Sequence, residues 1–358
     1  MCPKKSVIQL FSYSINQLLK MRAVRIIGTG KTEVVEIDKP VLKSGHVLLK
    51  VGYVGFCGSD LNTFRGLNPL VKLPIIPGHE IGAVVEDVAD DVFSGIQPGM
   101  NVTVNPYTSC GNCPACFNSR PNACEYNQTY GVQRDGAMSE YLLVPSEKLI
   151  ADESISVRDF ALVEPLSVGF HAVARANVTN VDTVMVLGCG MIGLGAIVSS
   201  AIRGAKVIAV DVDGQKLNLA QQMGAHYVIH SQKENLHERI WEITCRRGAD
   251  VIIEAVGRPE TYLASVSELA FTGRIVFIGY VKEKVPFDTQ FFVKKEMSIL
   301  GSRNAMPADF RAVMEYLKKG ICPIDNLVSA VYLPEEAQKA LEKWAENPGD
   351  VFRILIRF

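Results

Sequence analysis

The sequence predicts a chain in two parts, a strand-rich β unit followed by a doubly wound α/β unit. Three observations carry this. From Ala23 to about Leu149, β-branched runs are bounded by Gly, Pro and Asp, and long amphipathic helices are absent. From near Val168, strand-like and helix-like segments alternate, the pattern of a parallel sheet with helical crossovers. At 358 residues the chain fits two ordinary domains of about 100–200 residues each.

In the front part, Val47–Tyr53 and Ile81–Val88 read as strands. In the back part, Asp182–Leu187, Lys206–Val210, Tyr227–Ile229, Val251–Glu254, Arg274–Ile278 and Ser298–Leu300 read as six strands. A helical run to Ala201, then Lys216–Met223, Leu236–Arg246 and Glu260–Leu269, supply the crossovers. The last residues mix helices at Phe310–Lys319 and Glu335–Glu346 with a closing strand, Val351–Ile356. Residues 1–20 are expected to be an extension outside the fold, with a short docking helix as the alternative, and Met21 is a natural first residue. The expected boundaries are 21–167 for the β unit, 168–304 for the α/β unit and 305–358 for a segment returning to the first.

Composition narrows the function. Hydrophobic residues make up 48% and charged residues 21%, enough for a sizeable core. The net charge of −1 argues against nucleic acid or a membrane surface as partner. No apolar run approaches the roughly 18 residues that cross a bilayer. Of nine cysteines, four crowd into residues 110–124. That clustering reads as metal binding in a reducing, cytoplasmic compartment.

Three motifs carry chemistry. Gly188-Cys189-Gly190-Met191-Ile192-Gly193 lies between a strand and a helix. There Gly188 permits the tight turn, Gly190 admits a pyrophosphate to the backbone, and Gly193 lets helix and strand pack closely. Met191 and Ile192 open the helix whose N–H groups face the phosphates. Asp211 closes the next strand, where a carboxylate accepts the ribose hydroxyls of NAD and repels the extra phosphate of NADP. The bland alternative is a Gly-rich turn without ligand.

Cys110-x2-Cys113-x2-Cys116-x7-Cys124 supplies four thiolates for a tetrahedral zinc with no open position, hence a structural site. Two disulfides or idle thiols are the alternative, and the ligands alone do not separate zinc from iron.

Cys57, His79, Glu80 and Glu164 form the third set, candidates for a zinc site with an open position. Ser59 and Asp60 follow Cys57, and Asp60 is a candidate to fix the His79 tautomer. Glu164-Pro165 ends the β-rich half, where a domain boundary places ligands.

These motifs together resemble the zinc-dependent medium-chain alcohol dehydrogenase family, and within it the sorbitol dehydrogenase-like branch, near bacterial L-galactonate and L-gulonate 5-dehydrogenases. The resemblance runs from about Met21 to Phe358 and includes Asp135-Gly136-Ala137-Met138-Ser139-Glu140-Tyr141 and Glu164-Pro165. It implies a GroES-like β-barrel catalytic domain, a Rossmann domain, NAD, and two Zn2+ per chain. It implies Cys57 and His79 as catalytic zinc ligands with Glu80 or Glu164 as the third, and Ser59 as first proton acceptor. Relatives often carry a histidine where this chain has Asn62, so the relay beyond Ser59 stays open. The segment Gly301-Ser302-Arg303-Asn304-Ala305 resembles one in sugar-acid dehydrogenases, and Arg303 is a candidate partner for a substrate carboxylate. Phe64, Arg65 and Asn68 are candidates to line the pocket, against a reading as plain surface-loop residues.

The expected activity is hydride transfer from a secondary alcohol of a polyol or sugar acid to NAD. The alternatives are the same chemistry on threonine or a sugar-alcohol phosphate, or a zinc- and nucleotide-binding relative without turnover. A homodimer or homotetramer is expected, joined through a sheet edge near Arg274–Tyr280.

Overall fold

A computed structural model describes residues 20–358. The expectation for the N-terminal extension therefore falls, but for Lys20, outside the described residues. The described chain forms two compact units.

Unit 1 comprises the described residues through Pro106, then Gln128–Ala161 and Ala330–Phe358. Strands β1 (Lys20–Gly28) and β2 (Lys31–Asp38) form an antiparallel pair. A second sheet joins β3 (His46–Phe56), β4 (Glu80–Val88), β5 (Asn101–Val104), β6 (Tyr141–Pro145), β7 (Leu149–Ala151), β14 (Ala330–Tyr332) and β15 (Ile354–Arg357). Its order is β14-β15-β3-β4-β5-β7, with β6 also on β3. Val47, Leu49, Val54, Phe56, Ile81, Ala83, Val102 and Val104 are fully buried, so the strand-rich front half makes its own core. Helix Ala337–Glu346 adds Ala340, Leu341 and Trp344 to that core from the far end of the chain. The closing strand begins later than expected, at Ile354, with a 3-10 turn at Pro348–Asp350 ahead of it.

Unit 2 comprises Tyr107–Asn127 and Leu162–Ser329. Relative to the expected boundaries, the four-cysteine segment packs with the α/β unit, and the chain rejoins unit 1 at Ala330. Six parallel strands, β8 (Thr183–Leu187), β9 (Lys206–Asp211), β10 (Tyr227–His230), β11 (Ala249–Glu254), β12 (Leu269–Phe277) and β13 (Ser298–Gly301), run in the order β10-β9-β8-β11-β12-β13. This is the doubly wound sheet that the alternation predicted. One expected helix was too long: Glu260–Leu269 ends at Ser267, and β12 starts at Leu269. The reason is an irregularity in the β11–β12 register, Ala249 opposite Leu269 and Val251 opposite Arg274, which absorbs the extra residues around Thr272 at φ 60°. Of the expected oligomer edge, Arg274–Tyr280 and its neighbours, the strand that ends the sheet is the neighbour β13. Strand β12 is flanked on both sides, by β11 and β13, so it presents no free edge.

Candidate metal centre and dinucleotide loop

Cys57 follows the end of β3 and caps the helix Gly58–Phe64. His79 and Glu80 sit at the start of β4, and Glu80 lies opposite Gly55 in the β3–β4 register. Antiparallel pairing thus delivers three donors from two strand ends. One ligand atom from each of Cys57, His79 and Glu80 lies within 4.8 Å of the others. Gly55 is needed for space, since a Cβ there would fall 2.1 Å from Glu80 Oε2.

The site is dry. His79 is 5% exposed, Glu80 0% and Asp60 1%. A lone buried carboxylate is prohibitively costly. Arg353, itself buried, answers it with Nε 3.1 Å from Glu80 Oε2 and Nη1 donating to the Phe56 carbonyl at 2.7 Å. Burial pushes the Cys57 thiol up, but the His79 hydrogen bond and the His79 and Arg353 charges outweigh it, and the thiol ends below its ordinary value. With Cys57 as thiolate and His79 neutral, as metal ligation requires of both, the acidic groups Cys57, Asp60 and Glu80 outnumber the one guanidinium of Arg353. A divalent cation would neutralise the remaining charge, so the donor set fits zinc.

Asp60 gives one carboxylate oxygen to the Cys57 N–H, at 2.8 Å. Ser59 Oγ is buried with no protein partner among the described residues, the state expected of a hydroxyl awaiting a ligand. The Ser59 carbonyl is held by Thr63 Oγ1 at 2.8 Å and Asn68 Nδ2 at 3.3 Å. Of the expected pocket-lining residues, Phe64 lies in the unit 1 core, Arg65 donates to the Ala345 carbonyl, and Asn68 braces Ser59. Asn62 is exposed. Glu164 belongs to unit 2, in the first turn of helix Val163–Arg175, where its Oε1 accepts from Tyr107 OH.

Sequence reasoning missed Arg353 and Tyr107. A signal existed for the first, because Arg353 is the lone charge in an otherwise apolar run, Val351–Ile356. Tyr107 had none.

In unit 2, Cys110, Cys113, Cys116 and Cys124 bring all four sulfurs within 4.8 Å. Cys113 Sγ lies 3.5 Å from Cys116 Sγ and 3.8 Å from Cys124 Sγ. A disulfide needs about 2.05 Å. Four sulfurs about 2.3 Å from one zinc would sit about 3.8 Å apart. The spacing therefore fits a tetrahedral metal, and none of these cysteines is disulfide-bonded. Hydrogen bonds from the Glu125 and Cys116 backbones lower the Cys113 thiol to about 6, while burial raises Cys124 to about 11.

The glycine loop follows β8. Gly188 has φ 92°, the left-handed region. Gly190 caps helix Met191–Ile202, and a Cβ there would meet nothing within 4 Å, leaving the backbone open to a ligand. A Cβ on Gly193 would lie 1.8 Å from the Gly188 carbonyl oxygen. Met191 is buried and Ile192 half-buried in the first turn. Asp211 ends β9, with Oδ2 accepting the Cys189 N–H at 2.7 Å and Oδ1 accepting Val212 N–H at 2.7 Å and Asp213 N–H at 3.0 Å. Its carboxylate thus ties the glycine loop to β9, a second duty that the sequence did not announce. Arg303 is exposed on the loop after β13.

Two family models match the chain: the alcohol dehydrogenase GroES-like domain at residues 43–153 and the zinc-binding dehydrogenase at residues 192–319. The chain belongs to the zinc-type, medium-chain alcohol dehydrogenase family. It is 30% identical to the L-galactonate-5-dehydrogenase of Escherichia coli K12 over 319 residues, 89% of this chain and 94% of that protein. It is 30% identical to the sorbitol dehydrogenase of Bacillus subtilis over 346 residues, 94% of this chain and 97% of the relative. A crystal structure of an alcohol dehydrogenase from E. coli CFT073 with NADH superposes with a TM-score of 0.87 at 28% identity, covering 95% of this chain and 99% of that one. No helix among the described residues is long and apolar enough to cross a membrane.

Proposed function

We propose that the protein oxidises a secondary alcohol of a polyol or sugar acid, passing hydride to NAD. The observation that carries this reading is the Cys57–His79–Glu80 cluster, with His79 and Glu80 buried and Cys57 half-buried, together with the unpartnered Ser59 hydroxyl. Zinc held there would supply Lewis acidity to the substrate hydroxyl, and NAD on the glycine loop would take the hydride.

The chain's own residues do the rest. Cys57 is biased toward the thiolate a metal requires. Glu80 is the glutamate that unit 1 itself brings to Cys57 and His79, and Arg353 balances its charge. Glu164, in unit 2, is outside the Cys57–His79–Glu80 cluster, and its Oε1 accepts from Tyr107 OH. Ser59 Oγ accepts the substrate proton, its backbone fixed by Thr63 and Asn68. Asp211 favours NAD over NADP, because a carboxylate at the strand end repels a ribose phosphate. Cys110, Cys113, Cys116 and Cys124 would hold a second zinc and leave no protein position open on it.

The substrate class finds support in relatives named for L-galactonate and sorbitol. The test is an NADH-formation screen of polyols, aldonates and polyol phosphates with the purified protein. Turnover of a polyol or aldonate is expected. No turnover of any secondary alcohol by zinc-loaded protein would overturn the reading.

A further inference from the structure

The sulfurs of the four-cysteine segment gather on one another, and Asn122 ties the segment to the rest of unit 2. Asn122, two residues before Cys124, is 5% exposed. Its Nδ2 donates to the Arg303 carbonyl at 2.7 Å and meets His171 Nε2 at 3.0 Å. Its backbone carbonyl accepts from Asn304 Nδ2 at 2.8 Å. Behind it, His171 Nδ1 lies 2.9 Å from Asp309 Oδ2, which also accepts the Met306 N–H at 2.8 Å.

The donor pattern fixes this network. Asp309 accepts, so His171 carries its proton on Nδ1 and accepts at Nε2. Turning the Asn122 amide over would set its oxygen against the Arg303 carbonyl, so only one orientation works. Asn122 therefore grips both residues of the Arg303–Asn304 turn, in which Asn304 has φ 55°.

The position of that turn gives the grip a purpose. Ser302 N–H reaches the Phe277 carbonyl at 2.9 Å, so the turn leaves the sheet at the carboxyl ends of β12 and β13. The Gly188–Gly193 loop leaves at the same end of the parallel sheet, after β8. Ligands of doubly wound sheets bind outside those ends. Arg303 is exposed there, with no carboxylate partner among the described residues.

We propose that Asn122 is a positioning residue through which the four-cysteine segment, drawn together on its metal, holds the Arg303–Asn304 turn and aims Arg303 at an anionic group of a ligand. The site said to be purely structural thus sets the geometry of a ligand-facing loop. The hold on the turn stands by itself. Its kinetic consequence rests on the dehydrogenase reading above.

Trypsin separates the two, because Arg303, Arg246 and Arg247 are all exposed. The initial cleavage rate at Arg303–Asn304, divided by the rate at Arg246–Arg247, is measured in the zinc-loaded wild type, Asn122→Ala and Asn122→Asp. Both variants lose the side-chain bond to the Arg303 carbonyl and keep the Asn304 bond, which the Asn122 backbone accepts, so that ratio should rise about fivefold. Stripping zinc from the four-cysteine site of the wild type should raise it likewise. Asn122→Asp keeps the size of the side chain and covers the case in which Asn122→Ala does not fold. An unchanged ratio in a folded variant overturns the proposal. In the NADH-formation assay, KM for an aldonate should rise while kcat and the KM of a neutral polyol stay near wild type. A fall in kcat with KM unchanged would contradict the aiming of Arg303, and the cleavage ratio decides the hold even if no substrate is found.

Discussion

The two sulfur-bearing clusters invite comparison. In unit 2, four thiols converge within a short local segment and include no other kind of donor. In unit 1, one thiol, one imidazole and one carboxylate converge from two strand ends, with a buried guanidinium and an unpartnered hydroxyl beside them. The first arrangement fills a tetrahedron and leaves nothing for a substrate to displace. The second supplies three donors and leaves a place for a fourth. The difference teaches that coordination number, more than metal identity, separates a brace from a reactive centre.

The largest expected effect falls on the mixed cluster. Cys57→Ser should cut kcat by about a thousandfold or more, the scale on which metal-assisted alcohol ionisation contributes, while NADH binding by fluorescence stays near wild type. Retained turnover would place the chemistry elsewhere. Next, Arg353→Met should leave Glu80 buried without its countercharge, destabilising the apo fold by about 3–5 kcal/mol in chemical denaturation. Metal loading should recover part of that loss, since a divalent cation takes over the neutralisation. A variant as stable as wild type without metal would mean that the pair is not what holds Glu80. Cys113→Ser should invert the pattern seen at Cys57: a fall in Tm exceeding the loss of initial rate at low temperature. The smallest effect concerns the cofactor. Asp211→Ala should narrow the preference for NAD over NADP by about 10- to 100-fold in kcat/KM, and should weaken both cofactors, because three backbone N–H groups lose their acceptor. Unchanged selectivity would mean that Asp211 serves the loop alone.

Legibility in the sequence followed the range of the interactions. The four-cysteine site and the glycine loop were readable because their chemistry is complete within a few residues, and the six strands because each apolar run is bounded by its own turn signals. Cys57, His79 and Glu80 were readable as donors, but their convergence depends on the β3–β4 register, which bulges at Leu48–Leu49 and Val51–Tyr53 make unreadable from pattern alone. The burden of Glu80 on Arg353, and of the Arg303–Asn304 turn on Asn122, spans most of the chain or half of it, beyond any local signal. Phe64 misled because a residue close to Cys57 in sequence turned into the core instead of the pocket. Strand β12 misled because its register shift hid the first half of the strand behind Thr272 and Gly273.

The central claim is that one chain holds two metals in chemically distinct ways. Zinc analysis of the wild type, Cys57→Ser and Cys113→Ser after exhaustive dialysis tests it directly. About two zinc per wild-type chain is expected from one open and one closed site. Each variant should lose one, the first together with turnover and the second together with thermal stability. A wild type with a single zinc, or a single loss of metal common to both variants, would contradict the account.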